Sequence, residues 1–141
     1  MRIANQLIFR GHEVNIKLVE AGALLHDIGR SRSHDVDHAV KGAEIGRELG
    51  LPNDVIQIIE RHVGAGIPPS EARELGFPEG HYVPETLEEK VVTYADKLAS
   101  GRCEVDIEVT IRDFADKLGE DHPSLERLRA LDAEMKALLK G

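Results

Sequence analysis

The sequence predicts an all-α protein with a single domain of about seven helices. Apolar residues recur at helical spacing along nearly the whole chain, and only "CEVDIEVTI" fits a strand as well as a helix. A length of 141 residues is enough for one domain with a real hydrophobic core. The single cysteine, Cys103, excludes an internal disulfide framework.

The first two helices are predicted at the start of the chain. "IANQLIF" forms a short helix that ends at Gly11, and Asn15 caps a second helix that runs to about Ile28. Two charged residues, Lys17 and Glu20, interrupt the otherwise apolar surface of this second helix. We therefore predict that it is the central, buried helix of the fold.

Two further helices and a long loop are predicted in the middle of the chain. Asp37 can cap a third helix over residues 39–49, and a fourth helix extends from about 54 to 62. The segment that follows is rich in glycine and proline. It should form a long surface loop that contains one short helix near residues 70–75.

The last three helices follow this loop. Thr86 and Glu89 form a capping box that starts a fifth long helix, which reaches about Ala99. We predict that residues 1–102 form the motif-bearing core and that the helices of residues 103–141 pack on it. As an alternative, the apolar stripes of these helices form a homodimer contact instead of packing on the core. These stripes are Ile111, Phe114 and Leu118 in one helix, and Leu128, Leu131, Met135 and Leu138 in the other.

Composition and charge limit the partners that we expect. The chain is 41% apolar and 31% charged, as is usual for soluble globular proteins. The net charge of −8 should repel nucleic acid backbones, so no nucleic acid partner is expected. No apolar stretch is long enough to span a membrane, and the first residues lack a secretory signal. We therefore expect a cytoplasmic protein without a membrane partner.

Candidate metal ligands are placed at helix ends and on inward-facing helix positions. In "VEAGALLHDIGRSRSHDVDH", a nearly unbroken apolar run ends in a histidine and an aspartate side by side. Burying such a pair is costly unless a hydrogen-bond network or a metal ion compensates. Each candidate taken alone is explained as well by an ordinary structural or surface role, as a hydrogen-bonded histidine or a solvated carboxylate. Together they favour a metal site, and they are His26, Asp27, His38, His62 and Asp96.

The ligand types indicate which ions the site would bind. Imidazole and carboxylate together suit divalent Mn, Fe, Ni, Co, Zn or Mg rather than Ca or a thiolate-bound metal. Asp27 has two oxygens, so it can bridge two ions. Two ions ~3.5–4 Å apart would hold a hydroxide that attacks phosphorus. We expect one or two divalent ions.

Four motifs in order resemble the HD-domain superfamily of metal-dependent phosphohydrolases, whose best-known subgroup carries "HDIG". They are "LLHDIG", "DHAVKGAEI", "IIERH" and "YADKL", and the resemblance extends to about Arg102. It implies a helical HD fold that hydrolyses phosphate esters. On this resemblance His26 and Asp27 match the signature pair, with Asp27 as the catalytic residue, and Asp96 matches the distal aspartate ligand. His38 and His62 match the histidines of members that bind a second metal.

The substrate class is also an expectation from the resemblance. A nucleotide or another small phosphorylated metabolite is expected, and the motif order is similar to that of enzymes that cleave dinucleoside tetraphosphates. Arginine can hold a phosphate through two parallel hydrogen bonds. The basic residues that we expect to bind phosphate, against the alternative of solvated surface charge, are Arg30, His34, Arg61 and Lys97.

One family feature has no clear match. The family's first metal ligand is a histidine on a helix upstream of the signature pair, whereas His12 lies in a predicted loop after Gly11. Either the first helix extends further upstream, or the site has one ligand fewer. The second explanation supports an alternative function, in which the chain is a non-catalytic HD module that binds metal or nucleotide.

Overall fold

The structure, a computed structural model, describes residues 2–100 and 103–140, and it confirms the all-α fold class. Within these ranges the chain forms eight α-helices, one 3-10 helix and one small two-stranded sheet. The α-helices are α1 (Arg2–Phe9), α2 (Ile16–Leu25), α3 (His38–Leu49), α4 (Asn53–Arg61), α5 (Pro69–Glu74), α6 (Leu87–Lys97), α7 (Ile107–Leu118) and α8 (Pro123–Lys140). The 3-10 helix is Ile28–Ser31, and strands β1 (Ala99–Ser100) and β2 (Cys103–Glu104) pair antiparallel.

The main hydrophobic core is shared by helices from both ends of the chain. Leu7 of α1, Ile58 of α4, Val91 of α6, and Leu128 and Met135 of α8 are all buried within it. A smaller apolar cluster lies under the loop around α5. Because α8 contributes side chains to the main core, the C-terminal helices pack on the part of the fold that carries the motifs.

The second helix differs from its prediction in length and in burial. It ends at Leu25 rather than near Ile28, and the chain then enters the 3-10 helix. Only one side of α2 is buried, and Leu24 is 85% exposed. Gly22 explains the close packing of the buried side, since a Cβ there would meet Ile58 at 2.7 Å and Val92 at 3.3 Å.

The capping predictions are confirmed at two positions and wrong at a third. Asn15 accepts a hydrogen bond from the backbone N–H of Leu18, and Thr86 forms the predicted capping box with Glu89. Asp37 precedes α3, but its carboxylate accepts a hydrogen bond from the hydroxyl of Ser33 instead of capping the helix. That competing partner comes from the turn before α3.

The segment "CEVDIEVTI" is divided between a strand and a helix. Its first two residues form β2, and α7 begins at Ile107, where Asp106 accepts a hydrogen bond from the backbone N–H of Glu108. Among the described residues, no helix combines the length and the apolar character needed to cross a membrane.

Candidate metal centre

The five side chains predicted as metal ligands form one connected cluster, and candidate ligand atoms of His26, Asp27 and His62 all lie within 4.8 Å of one another. Nε2 of His26 lies 3.4 Å from Oδ2 of Asp27 and 3.3 Å from Oδ1 of Asp96. Nε2 of His38 and Nε2 of His62 lie 3.4 Å and 3.2 Å from Oδ1 of Asp27. Asp27 is therefore at the centre of the cluster, and each of its oxygens faces a different set of imidazoles.

Helix ends bring these residues together. His26 is the C-cap of α2, His38 is the first residue of α3, and His62 is the C-cap of α4. Asp96 lies in the last turn of α6, and Asp27 lies in the turn between α2 and the 3-10 helix. At a helix end the backbone leaves the helical path, so neighbouring residues such as His26 and Asp27 can face the same point.

Close approach of two backbones fixes the position of Asp27. A Cβ on Gly29 would lie 1.8 Å from the carbonyl oxygen of His38 and 2.6 Å from the backbone nitrogen of Gly42. Only glycine therefore allows the 3-10 helix to lie against the first turn of α3. This contact explains the glycine of the HDIG motif, because it brings Asp27 within reach of His38.

Each imidazole in the cluster is oriented by a backbone carbonyl three residues earlier. Nδ1 of His26, His38 and His62 lies 2.9, 2.8 and 2.7 Å from these carbonyl oxygens. Because a carbonyl oxygen only accepts, each Nδ1 carries the hydrogen and donates it. The three Nε2 atoms face the centre, which is the usual orientation of metal-binding histidines.

The hydrogen-bond balance of the cluster fits a bound cation. Burial lowers the pKa of His62, so its imidazole is neutral and its one hydrogen is on Nδ1. Its Nε2 then has no hydrogen to donate, although it lies 3.2 Å from Oδ1 of Asp27 and 3.0 Å from Nε2 of His38. A metal ion would turn these facing lone pairs into ligands. Imidazole nitrogens and carboxylate oxygens are suitable donors for the divalent ions named above.

The imidazoles and carboxylates of the cluster stabilise one another's charged forms. Burial lowers the pKa of His26, but the carboxylates of Asp27 and Asp96 outweigh this effect and raise the pKa to about 10. Contacts with the imidazoles, His26 first, hold the pKa of Asp27 well below its usual range. Burial raises the pKa of Asp96, but the hydrogen bond with His26 and the charge of Lys97 outweigh this effect. The pKa of Asp96 is therefore below its usual value. Both carboxylates are ionised at neutral pH.

The cluster opens to solvent on the side of Asp27. The Asp27 side chain is 42% exposed, whereas the imidazoles of His38 and His62 are buried. Arg30 is 47% exposed and its Nε lies 3.3 Å from Oδ1 of Asp27. The predicted phosphate-binding residue Arg30 is thus at the open side of the cluster.

The other predicted phosphate-binding residues are placed differently. The guanidinium of Arg61 donates to both oxygens of buried Glu89, at 2.9 and 3.2 Å, so it is held in a structural ion pair. Lys97 is buried and donates to Asp96, which leaves it no open path to a substrate. His34 is exposed, and no hydrogen bond joins it to the cluster within the described residues.

No histidine from the start of the chain joins the cluster in the described structure. Helix α1 has none in its sequence, and Nε2 of His12 lies 3.1 Å from the carbonyl oxygen of Leu138 near the end of α8. Sequence reasoning also missed the contact of Lys97 with the cluster. The sequence hint of this contact is that Asp96 and Lys97 are adjacent, but adjacency does not reveal where either side chain points.

Comparisons with known proteins identify the family of this chain. The family model for the HD domain matches residues 1–101. The chain is 51% identical over 131 residues to an uncharacterized protein of Methanocaldococcus jannaschii, and the match covers 93% of this chain and 78% of that protein. No solved structure matches the chain with significance.

Other relatives are longer proteins that share this region. The chain is 42% identical over 124 residues to the tRNA (cytidine(56)-2'-O)-methyltransferase of Picrophilus torridus, covering 86% of this chain but 35% of the methyltransferase. It is 35% identical over 91 residues to the ribonuclease Y of Acidothermus cellulolyticus, covering 63% of this chain and 15% of the ribonuclease. With the HD domain matched over residues 1–101, this chain belongs to the HD-domain family.

Proposed function

We propose that this chain is a divalent-metal-dependent phosphohydrolase that acts on a nucleotide. The observation that carries the proposal is the division of the Asp27 carboxylate between two sets of ligands. Oδ2 faces His26, which also contacts Asp96, and Oδ1 faces His38 and His62. This arrangement supports one or two divalent ions, which Asp27 would hold together with the imidazoles and Asp96, and we assign the catalytic role to Asp27.

The chain's own residues would hold and orient the substrate around this carboxylate. Bound divalent ions would offset the charge of a phosphoryl group and make water a better nucleophile at neutral pH. Asp27 is the most exposed of the five candidate ligands, so a phosphate can approach the cluster from its side. The buried imidazoles on the opposite side hold their positions through the carbonyls that bind Nδ1, so the ligands are preorganised.

Arg30 would bind the phosphate of the substrate. Its guanidinium lies beside Asp27 and is nearly half exposed, so it can turn to a phosphate oxygen without leaving the site. Two parallel hydrogen bonds from one guanidinium would fix the orientation of the phosphoryl group. His34 is exposed in the turn before α3 and stays a second candidate for this role. The ion pair of Arg61 with Glu89 gives it a structural role instead.

A small nucleotide is the proposed substrate, with RNA as the class to test against it. The net charge of −8 disfavours binding along a nucleic acid backbone. However, relatives named ribonuclease Y and tRNA methyltransferase carry a similar region within longer chains. An RNA oligonucleotide therefore belongs among the substrates tested.

A non-catalytic module that binds metal or nucleotide is the second candidate. One observation favours it, namely that His12 is bonded to Leu138 and α1 offers no histidine to the cluster. The half of the site around His26 and Asp96 would then hold its ion with fewer protein ligands than the family pattern. Binding of a nucleotide without its turnover would identify this function.

Phosphate release from a panel of nucleotides and a short RNA, with added Mn²⁺ or Co²⁺, tests the proposal. We expect release from nucleotides, and we expect Asp27→Asn to reduce it by more than ~100-fold, because even an outer-shell partner is worth ~10–100-fold. The matched control is His81→Asn, since His81 pairs with Glu85 at the surface. Equal activity of Asp27→Asn and the parent would contradict the proposed role of Asp27.

A further inference from the structure

Lys97 connects the two halves of the metal centre. Its Nζ donates to Oδ2 of Asp96 at 2.5 Å and to the backbone carbonyl of His62 at 3.1 Å. The side chain is only 7% exposed. A buried ammonium is tolerated where it is paired and hydrogen-bonded, and both of these partners belong to the cluster.

The backbone of Lys97 is held as well. Its carbonyl accepts a hydrogen bond from the hydroxyl of Thr110 in α7, and the backbone N–H of Val105 donates to the carbonyl of Leu98 at 2.7 Å. The end of α6 is thus fixed from the side of α7, beyond the residues that match the HD domain. With its backbone fixed and its side chain buried, Lys97 holds its ammonium beside Asp96 and His62.

The two carboxylate oxygens of Asp96 have different partners. Oδ2 is engaged by Lys97, and Oδ1 faces Nε2 of His26 at 3.3 Å. Lys97 thus occupies the Oδ2 end of this carboxylate, and Oδ1 is the oxygen that faces the other candidate ligands. Calcium takes six to eight oxygen ligands and commonly uses both oxygens of a carboxylate, whereas smaller ions accept single oxygens at shorter distances.

We infer that Lys97 is a positioning residue that restricts Asp96 to one metal-binding oxygen and so favours small divalent ions such as Mn²⁺ over Ca²⁺. The inference rests on the proposed metal site. It replaces the expected phosphate contact of Lys97 with a role that acts through Asp96.

Metal titrations of Lys97→Met by calorimetry, with Mn²⁺ and with Ca²⁺, test this role. Methionine keeps most of the buried volume and removes the donor and the charge. We expect Mn²⁺ affinity to fall by ~10-fold or more, as for other outer-shell partners. We also expect the ratio of Mn²⁺ to Ca²⁺ affinity to fall. Loss of the lysine charge affects two divalent ions alike, so this ratio reports on the freedom of Asp96.

The matched control is Lys90→Met on the same helix. Lys90 lies two turns earlier and pairs with Glu134 at 2.7 Å, outside the cluster. It should leave both affinities unchanged. Lys97→Gln, whose amide group can still donate to Asp96, is the second variant and should keep more of the Mn²⁺ preference. If Lys97→Met does not fold, Lys97→Leu, which also lacks the donor and the charge, takes its place.

The outcomes separate this inference from the proposed function. If the parent prefers Mn²⁺ and folded Lys97→Met, or Lys97→Leu in its place, keeps the same preference, the positioning role is wrong while the metal site stands. If the parent binds neither ion, the proposed metal site and the role of Lys97 are both overturned. A lower Mn²⁺ preference in Lys97→Met alone supports the inference, whether or not the protein hydrolyses nucleotides.

Discussion

Replacing Gly29 with alanine should dismantle the centre without touching any ligand. The new Cβ would lie 1.8 Å from the carbonyl oxygen of His38 and 2.6 Å from the backbone nitrogen of Gly42. Both are backbone atoms, so no side chain can move aside. To reach ordinary van der Waals contact the 3-10 helix and α3 must separate by roughly 1.5 Å, because close-packed interiors leave no free space.

This separation has two measurable effects. Overpacking should lower the free energy of unfolding by about 3 kcal/mol, at the upper end of the usual range, because the clash is with backbone. Asp27 would move away from His38 and His62, and a misplacement of about 1 Å can reduce turnover ~100-fold. Urea denaturation measures the first effect, and Mn²⁺ titration with nucleotide turnover measures the second.

Gly76→Ala provides the control for Gly29→Ala. Gly76 has φ +76°, and a Cβ added there would meet no atom of the described residues within 4 Å, so alanine strains the backbone without a clash. It should cost about 1–2 kcal/mol and leave the metal centre intact. If folded Gly29→Ala binds Mn²⁺ as tightly as Gly76→Ala, the close approach of the 3-10 helix does not position Asp27.

Three further substitutions test other contacts of the site. Protonation of His26, whose pKa is raised from 6.5 to about 10, stabilises the metal-free fold fully below pH 6.5, and this contribution is lost as the pH rises to 10. The urea midpoint should therefore fall over that range in the parent and less in His26→Asn; equal slopes would contradict this. Arg61→Met should lower the free energy of unfolding by about 3 kcal/mol, the lower end of the usual cost, since it removes the cationic partner of buried Glu89 but leaves its bonds to the backbone N–H groups of Glu85 and Thr86. Folded Arg61→Met should keep parental activity, and a loss of activity in this variant would show that Arg61 acts in the site. Arg30→Lys should raise KM for the nucleotide at unchanged metal content, because lysine lacks the bidentate fork; an unchanged KM would remove Arg30 from phosphate binding.

The convergence of the ligands can be anticipated because local signals mark helix ends. Histidine or aspartate at the end of an apolar stripe, as at His26 and His62, predicts a polar group that faces inward. The ordered motifs then indicate which of these ends meet. The capping box at Thr86 is predictable for the same reason, since its partners are three residues apart.

Features set by contacts between distant segments cannot be anticipated in this way. Helix α2 stops at Leu25, before the apolar run ends, and the 3-10 helix that follows lies against α3 at Gly29; this contact has no signature within α2 itself. The pairing of Arg61 with Glu89 joins residues 28 positions apart. The sequence leaves Lys97 as either a phosphate-binding residue or a solvated surface charge, whereas the structure buries it against the carbonyl of His62 at the end of another helix.

The most direct test of the proposed metal centre is the anomalous diffraction of crystals grown with Mn²⁺. We expect a manganese peak on each side of the Asp27 carboxylate, one beside His26 and Asp96 and the other beside His38 and His62. Metal analysis of the same protein should agree with the number of peaks. A map with no peak in contact with Asp27, in protein that is folded and saturated with Mn²⁺, would contradict the central claim that this carboxylate organises the metal centre.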